Sequence, residues 1–423
     1  MTSARSIQSV VCLGCGCACD DLEVTVRDGR IVDVSPECRV ARAWFGDGSV
    51  PAAVTVEGRP TAAEKAVAEA AAVLARASRR ALVYIGPELT AEAQRVAVAI
   101  ADRIGARIDT ATSAPAASGL LAAQRRGRAG ATLGEIRNRA DVILFWAVDP
   151  RRRYPRFLSR FIEAVGTHAP SGGAGRRLIS VSVGADRAPA GADLEISLTP
   201  GEELAALSVM RATVLGNALG DLDSPLHAVA DAAALLGKAR YAAIVNHAEP
   251  AEEAGNPLRA EGLIALAQAL NGPTRAVLVG LRAGGNRSGA EAVLTWQTGY
   301  PMAVDYSGGF PRYAPEDRGL ERLREAGAVL IAGSAAELAG VGEALGTVPT
   351  IVIGPRASEA PFPTRVAIDT GVAGIHDGGI GYRLDEIPLP LRPPLANGGT
   401  RSAAEALGAL LKTLRARADG RPR

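Results

Sequence analysis

A series of short apolar runs, separated by helix-forming stretches, constrains this chain more than any other feature. The runs are ALVYIG (81–86), DVILFWAVD (141–149), RRLISVSVG (176–184), LEISL (194–198), YAAIVN (241–246), RAVLVG (275–280), AVLIAG (328–333) and TIVIG (350–354), with ARIDT (106–110) as a shorter member. Apolar runs of this length read as strands buried on both faces, and strands alternating with helices build parallel sheets through right-handed crossovers. The intervening helices are expected over 62–77, after a Thr90 cap in the stretch carrying Val96, Ile100 and Ile104, near 132–139, from Pro200-Gly201-Glu202-Glu203 onward, and over 259–270, 288–297 and 402–416. The expected fold class is therefore α/β, with two Rossmann-like parallel-sheet domains.

Aromatic residues make up only 4% of the 423 positions against 48% hydrophobic, so these cores must be built from Ala, Val, Leu and Ile. All but three of the 47 basic residues are arginine, yet 45 acidic residues leave a net charge of +2. That balance supplies no field for holding a polyanion, which argues against nucleic-acid binding. No apolar stretch approaches the ~20 residues of a membrane span, and MTSARSIQSVVC has no signal-peptide core, so a cytoplasmic protein is expected.

All five cysteines fall before position 40. Cys12-x2-Cys15-x3-Cys19 forms a tight, glycine-punctuated loop, and Cys38 returns after LEVTVRDGRIVDV (22–34), which alternates around Asp28-Gly29 as a β-hairpin does. Four thiolates in this pattern suit a [4Fe–4S] cluster or a tetrahedral zinc, or mark a vacated site, with Cys17 to spare. The segmentation expected from these signals is a Cys-rich lobe over 1–50, a first α/β domain over 51–235, a second over 236–360, and a C-terminal closing lobe over 361–423.

Two loops invite anions. LRAGGNRSG (281–289) links a strand to a helix, where Gly284, Gly285, Asn286 and Gly289 can let amides approach a phosphate or pterin, or simply turn a crossover. DPRRRYP (149–155) places Arg151, Arg152 and Arg153 after a buried strand, as a clamp for a phosphate or an acidic partner or as a solvated face. The four histidines, His168, His227, His247 and His376, make no H-x-H or H-E-x-x-H pair, and neither G-x-S-x-G nor a Walker A sequence is present.

CLGCGCACDD (12–21), LGEIRNRADVI (133–143), GYPMAVDYSGGFPRY (299–313) and GIGYRLDEIPL (379–389) together resemble the B subunit of formylmethanofuran dehydrogenase, within the molybdenum and tungsten bis-pterin oxidoreductases. The resemblance implies a molybdopterin-oxidoreductase-like fold, one [4Fe–4S] cluster on Cys12, Cys15, Cys19 and Cys38, and a bis-pterin metal that interconverts carbon dioxide and formate. It also implies a metal-ligating cysteine followed by a histidine in the loop after strand 106–110. Here that loop reads DTATSAPAAS (109–118), with Pro115 or a neighbour at the ligand position. Neither proline nor alanine can donate a thiolate or a proton.

The sequence therefore looks more like the redox-free version of the assembly, the formyltransferase/hydrolase complex of methylotrophic bacteria. There, formyl passes from tetrahydromethanopterin to a methanofuran analogue and is released as formate. What this implies is a noncatalytic scaffold without molybdopterin or tungstopterin, associated with amidohydrolase, formyltransferase and β-helix subunits. The alternative is an active bis-pterin oxidoreductase chain. Asp186-Arg187 and the Pro200–Glu203 stretch resemble the pterin-oxidoreductase signature in which an acid reads guanine, so Asp186 is an implied nucleotide contact beside Gly284, Gly285, Asn286 and Gly289.

Overall fold

The fold is taken from a computed structural model that describes residues 4–169, 171–249, 258–320, 323–395 and 400–419. The chain opens with β1 (Arg5–Val10), β2 (Leu22–Arg27) and β3 (Arg30–Ser35), an antiparallel three-stranded sheet. Asp28 and Gly29, at φ 51° and 74°, turn β2 into β3. Left-handed backbone at both positions is what a two-residue turn needs to match the strand twist. α1 (Arg39–Phe45), β4 (Val54–Val56), β5 (Arg59–Pro60), α2 (Ala63–Ala77), β6 (Ala81–Ile85), α3 (Ala91–Ile104) and β7 (Arg107–Thr110) follow. Thr90 caps α3 by accepting from Ala93 N–H at 3.3 Å.

Next come α4 (Ser113–Arg126), α5 (Leu133–Arg139), β8 (Val142–Trp146), the short α6 (Pro150–Arg153), β9 (Arg177–Val183), β10 (Leu194–Leu198), α7 (Glu203–Val214), α8 (Ser224–Gly237), β11 (Ala242–His247), α9 (Arg259–Leu270) and β12 (Ala276–Leu281). The chain ends with α10 (Arg287–Thr298), β13 (Val304–Asp305), β14 (Arg312–Tyr313), β15 (Ala328–Ala332), α11 (Gly342–Gly346), β16 (Thr350–Gly354), β17 (Val366–Asp369), the pair β18 (Gly379–Tyr382) and β19 (Pro388–Leu391), and α12 (Ala403–Asp419).

These elements form two units, Met1–Ala114 with Gly284–Arg423, and Pro115–Ala283. In the first, a nine-stranded sheet runs β14-β13-β7-β6-β15-β16-β17-β4-β5, parallel from β7 to β17 and antiparallel at both ends. Alternate residues feed opposite cores. Ala81, Val83 and Ile85 of β6 pack with α2, α3, α10 and α12, whereas Leu82 and Tyr84 pack with Val329, Ile331 and Val352. Burial on both faces is why these strands read as unbroken apolar runs. α12 contributes Ala403, Ala406, Leu407, Leu410 and Leu414, the stripe of a helix packed along one side.

The second unit holds a five-stranded, fully parallel sheet in the order β10-β9-β8-β11-β12. Its core gathers Leu144, Trp146, Ile179, Val181, Ile196 and Ile244 with Leu207 and Met210 of α7 and Leu263 and Leu270 of α9.

This division departs from the expected segmentation. β11 pairs with β8 and β12 with β11 instead of opening a separate domain at 236, and β15, β16 and β17 join β6 and β7 from the first third of the chain. β17 and α12 also belong to that sheet and its core, so 361–423 is not a lobe of its own. The reason is physical: a strand buried on both faces pairs where its register and faces fit, whatever its distance along the chain. Among the described residues no helix is long and apolar enough to cross a membrane.

Candidate metal centre and sheet-edge sites

The cysteine loop joins β1 to β2 and closes on itself: Cys12 N–H donates to Cys19 O at 2.9 Å and Ala18 N–H to Cys15 O at 3.1 Å. Gly14 N–H points at Cys12 Sγ from 3.3 Å. Cys12, Cys17 and Cys19 are buried, Cys15 and Cys38 half-buried, and Cys38 stands just before α1. Burial pushes the Cys12 thiol well up, and the charges that raise it further are those of Cys15, Cys19 and Cys38. The four expected ligands are thus neighbours. Even so, among the described residues no group of three or more His, Cys, Asp or Glu side chains is arranged to hold a metal ion. Trp44 lies against Gly14, and its buried indole N–H has no partner among the described residues. Four thiols are the donor chemistry that an iron–sulfur cluster or zinc takes.

The glycine loop, expected to receive a phosphate or pterin, receives the cysteine loop. A Cβ on Gly284 would sit 2.1 Å from Leu13 O and 2.7 Å from Cys15 N, so no other residue allows this approach. Gly285 N–H donates to Leu13 O at 2.7 Å, Glu88 N–H to Gly285 O at 2.8 Å, and Leu384 N–H to Gly16 O at 2.8 Å. Asn286, buried and left-handed at φ 60°, donates to Leu89 O at 2.7 Å and accepts from Tyr382 N–H at 2.7 Å. Gly289 packs on that same amide. Gln94 Nε2 donates to Asn286 O at 3.0 Å, while its buried Oε1 lacks a partner among the described residues.

The loop after β7 is where the resemblance places the pterin metal's anchor. Asp109 is its hub, buried and accepting from Thr110 N–H (2.8 Å), Ala303 N–H (3.0 Å), Ser113 Oγ (2.7 Å) and Gly319 N–H. Burial raises its pKa to about 6 against the lowering effect of those four donors. Thr110 and Thr112 hydroxyls pair at 2.9 Å. Pro115 lies in the first turn of α4. His376, the one histidine of this unit, has both ring nitrogens engaged, Nδ1 accepting from Val372 N–H at 3.2 Å and Nε2 lying 2.8 Å from Gly48 O. The donor chemistry here is hydroxyl and carboxyl, all internally satisfied, and does not fit a thiolate-anchored tungsten or molybdenum.

Sequence reasoning missed Glu88, which follows β6 where the strand order of this sheet reverses between β6 and β15. Its carboxyl is raised by burial, with Arg356 and Arg287 lowering it and Glu337 raising it, and its Oε2 has no partner among the described residues. Arg287 itself pairs with Glu337 and donates to Ala111 O at 3.3 Å. A non-glycine residue at φ 76° directly after Gly86-Pro87 is a turn signal, but nothing in the sequence marks it as charged company.

In the second unit, Asp186 comes just after β9, and its Oδ2 accepts from Arg259 Nη1 at 3.0 Å. Arg259, on α9, also forks onto Glu203, whose Oε1 accepts from Trp146 Nε1 at 2.8 Å. Glu203 and Arg259 side chains are 1% and 7% exposed, and Asp186 is 24% exposed, so the pair is interior and only Asp186 reaches the surface. The arginine run is partly spent: Arg151 forks onto Asp149, which caps α6, and Arg153 Nη1 lies 2.9 Å from His247 Nε2. Burial and then Arg153 lower the His247 pKa to about 4, keeping the ring neutral.

A parallel-sheet α/β protein carrying a four-cysteine loop beside the strand ends is the class that fold and site define. The chain belongs to the family of formylmethanofuran dehydrogenase B subunits. It is 30% identical over 408 residues to the B subunit of tungsten-containing formylmethanofuran dehydrogenase 2 from Methanocaldococcus jannaschii, covering 92% of this chain and 93% of that protein. Against the protein of the same description from Methanococcus maripaludis it is 27% identical over 425 residues, 96% and 98% of the two chains. A solved chain of the formyltransferase/hydrolase complex (FhcABCD) from Methylorubrum extorquens, determined with methylofuran, matches with a TM-score of 0.72 and 25% identity over 87% of this chain and all of that one. No family model matches the chain.

Proposed function

We propose that this chain is a noncatalytic B subunit of a formylmethanofuran dehydrogenase-like complex in tetrahydromethanopterin- and methanofuran-linked one-carbon metabolism. Formyl transfer and formate release then belong to partner amidohydrolase and formyltransferase subunits, with a β-helix subunit completing a cytoplasmic assembly. One observation carries this reading: the loop after β7 presents Asp109, Thr110, Thr112 and Ser113 to one another and has neither sulfur nor imidazole among residues 109–118. The match to a chain of the FhcABCD complex supports it.

Cys12, Cys15, Cys19 and Cys38 would hold a [4Fe–4S] cluster, which supplies one-electron transfer when bound. With no pterin to serve, the cluster would contribute by fixing the loop to Gly284, since metal binding to thiolates adds directly to folding free energy. The four-thiol set is also the observation that favours the second reading, an active bis-pterin oxidoreductase chain. Formate and a viologen dye added to the anaerobic assembly separate the two. No dye reduction is expected while formyl-group hydrolysis proceeds, and formate-dependent reduction would establish the second reading. Visible absorption of the same sample distinguishes cluster from colourless zinc.

A further inference from the structure

Helices α7 and α9 of the second unit pack so closely that a Cβ on Gly262 would sit 2.6 Å from Leu207 Cδ1. Toward the sheet they bury Leu207 and Met210 on α7 and Leu263 and Leu270 on α9. Each helix also carries a second stripe at helical spacing beside that core face. On α7 and its C-cap the stripe runs Leu204, Ser208, Arg211 and Leu215, and on α9 and its N-cap it runs Leu258, Gly262 and Ala265.

Between the stripes lies a groove of about 350 Å³. Leu215 and Leu258 line it while 51% exposed, so two large apolar side chains face water where a packed helix would cover them. The α7 stripe spans about three helical turns, roughly 16 Å at 1.5 Å per residue. Two parallel ridges with small residues between them are the receiving surface of a third helix.

Charge selects the occupant. The acid of the lining, Glu261, is shared by Arg125 and Arg126, and Arg211 is exposed with no ion-pair partner among the described residues. A second copy pairing through this same face would bring a second set of these arginines into the groove, where like charges repel. A helix carrying acids is what the groove complements.

We propose that the α7–α9 groove seats an amphipathic, acidic helix of a partner subunit, with apolar residues at i, i+3 or i+4 and i+7 against Leu215 and Leu258 and with carboxylates on Arg211. The inference rests on the reading of this chain as a subunit of an assembly, and adds the surface and the chemistry of one contact.

The test uses the assembly purified with all its subunits. With p-benzoylphenylalanine in place of Leu215, irradiation should join this chain to a partner subunit, and mass spectrometry should locate the adduct in a peptide of that apolar spacing containing Asp or Glu. Leu215→Asp with Leu258→Asp should weaken association with that subunit about 100-fold, and Arg211→Glu about 10-fold, the latter effect shrinking as salt rises. Both changes fall on exposed side chains and should leave the Tm of the full chain alone within about 2 °C. Where the aspartates do unfold the chain, a charge swap decides: arginine in place of the crosslinked subunit's acid should restore the affinity that Arg211→Glu loses. No adduct, an adduct to this chain or to a second copy of it, a partner peptide without acids, full affinity in both variants, or a swap that restores nothing would each overturn the proposal. A chain that purifies without companions would sink the subunit reading and this proposal with it, whereas an intact assembly with a bare groove sinks the groove alone.

Discussion

The carboxyl edges of the two parallel sheets are the places where α/β proteins keep ligands, and this chain treats them differently. In the first unit the cysteine segment sits there, hydrogen-bonded to Gly285 and Leu384, with Cys12, Cys17 and Cys19 buried. In the second unit the edge is filled from within by Arg259, and its polar groups are matched. The first edge carries the four thiols that the proposed cluster would use, and the second has both its acids paired with Arg259. The cysteine loop is needed for packing whether or not iron is bound, because Leu13 and Gly16 carbonyls anchor neighbouring segments. The loop after β7 shows the opposite case: where the resemblance implies a metal ligand, it holds Pro115 or a neighbour, beside hydroxyl-bearing residues.

The two edges should therefore differ in sensitivity. Glu203→Ala strips a buried arginine of its main partner and should cost about 3–5 kcal/mol. Chemical denaturation measures it, and a loss under about 1 kcal/mol would show that Arg259 is not held as described. Gly284→Ala drives a methyl into Leu13 O and Cys15 N and should cost about 1–3 kcal/mol. It should also speed thiol labelling of Cys12 and Cys19, and unchanged labelling would uncouple the glycine loop from the cysteines. Asp109→Asn turns an amide toward donors at Ser113 and Gly319 and should cost about 1–2 kcal/mol at neutral pH.

The smallest net effect is with pH, because the two units oppose each other. Asp109 holds its proton up to about pH 6 when folded against 3.8 when unfolded, so its contribution to stability declines as pH rises through that window. His247 resists protonation down to about pH 4 against 6.5 unfolded, so its contribution is present above 6.5 and lost as pH falls toward 4. The groups facing it are Arg153, Asp186 and Arg259. Tm profiles of Asp109→Asn and His247→Gln should therefore diverge from the wild type with opposite slopes between about pH 4 and 6, and parallel slopes would break the assignment.

Strands are legible in this sequence because burial on both faces writes itself as an apolar run, and ALVYIG or DVILFWAVD has no other use. The hairpin at Asp28-Gly29 is legible from turn chemistry. Illegible are the two-residue edge strands β5, β13 and β14, which carry too little pattern, and α8, whose apolar side is short. The division into units is hidden for a different reason: the pairing of β6 with β15 reaches across most of the chain, and local propensity does not encode a partner that far away. The cysteine quartet can be named from spacing. What Gly284 touches, and that Arg259 closes the edge beneath Asp186, cannot, since a single arginine opening an apolar helix looks like any surface charge.

The loop after β7 offers neither the cysteine nor the histidine that the resemblance implies, and on this the noncatalytic reading stands. Elemental analysis for tungsten and molybdenum, with pterin fluorescence, on the assembly purified without air tests it most directly. Neither metal and no pterin should be found at stoichiometric level, whatever the iron content. One tungsten or molybdenum with two pterins per copy of this chain would contradict it.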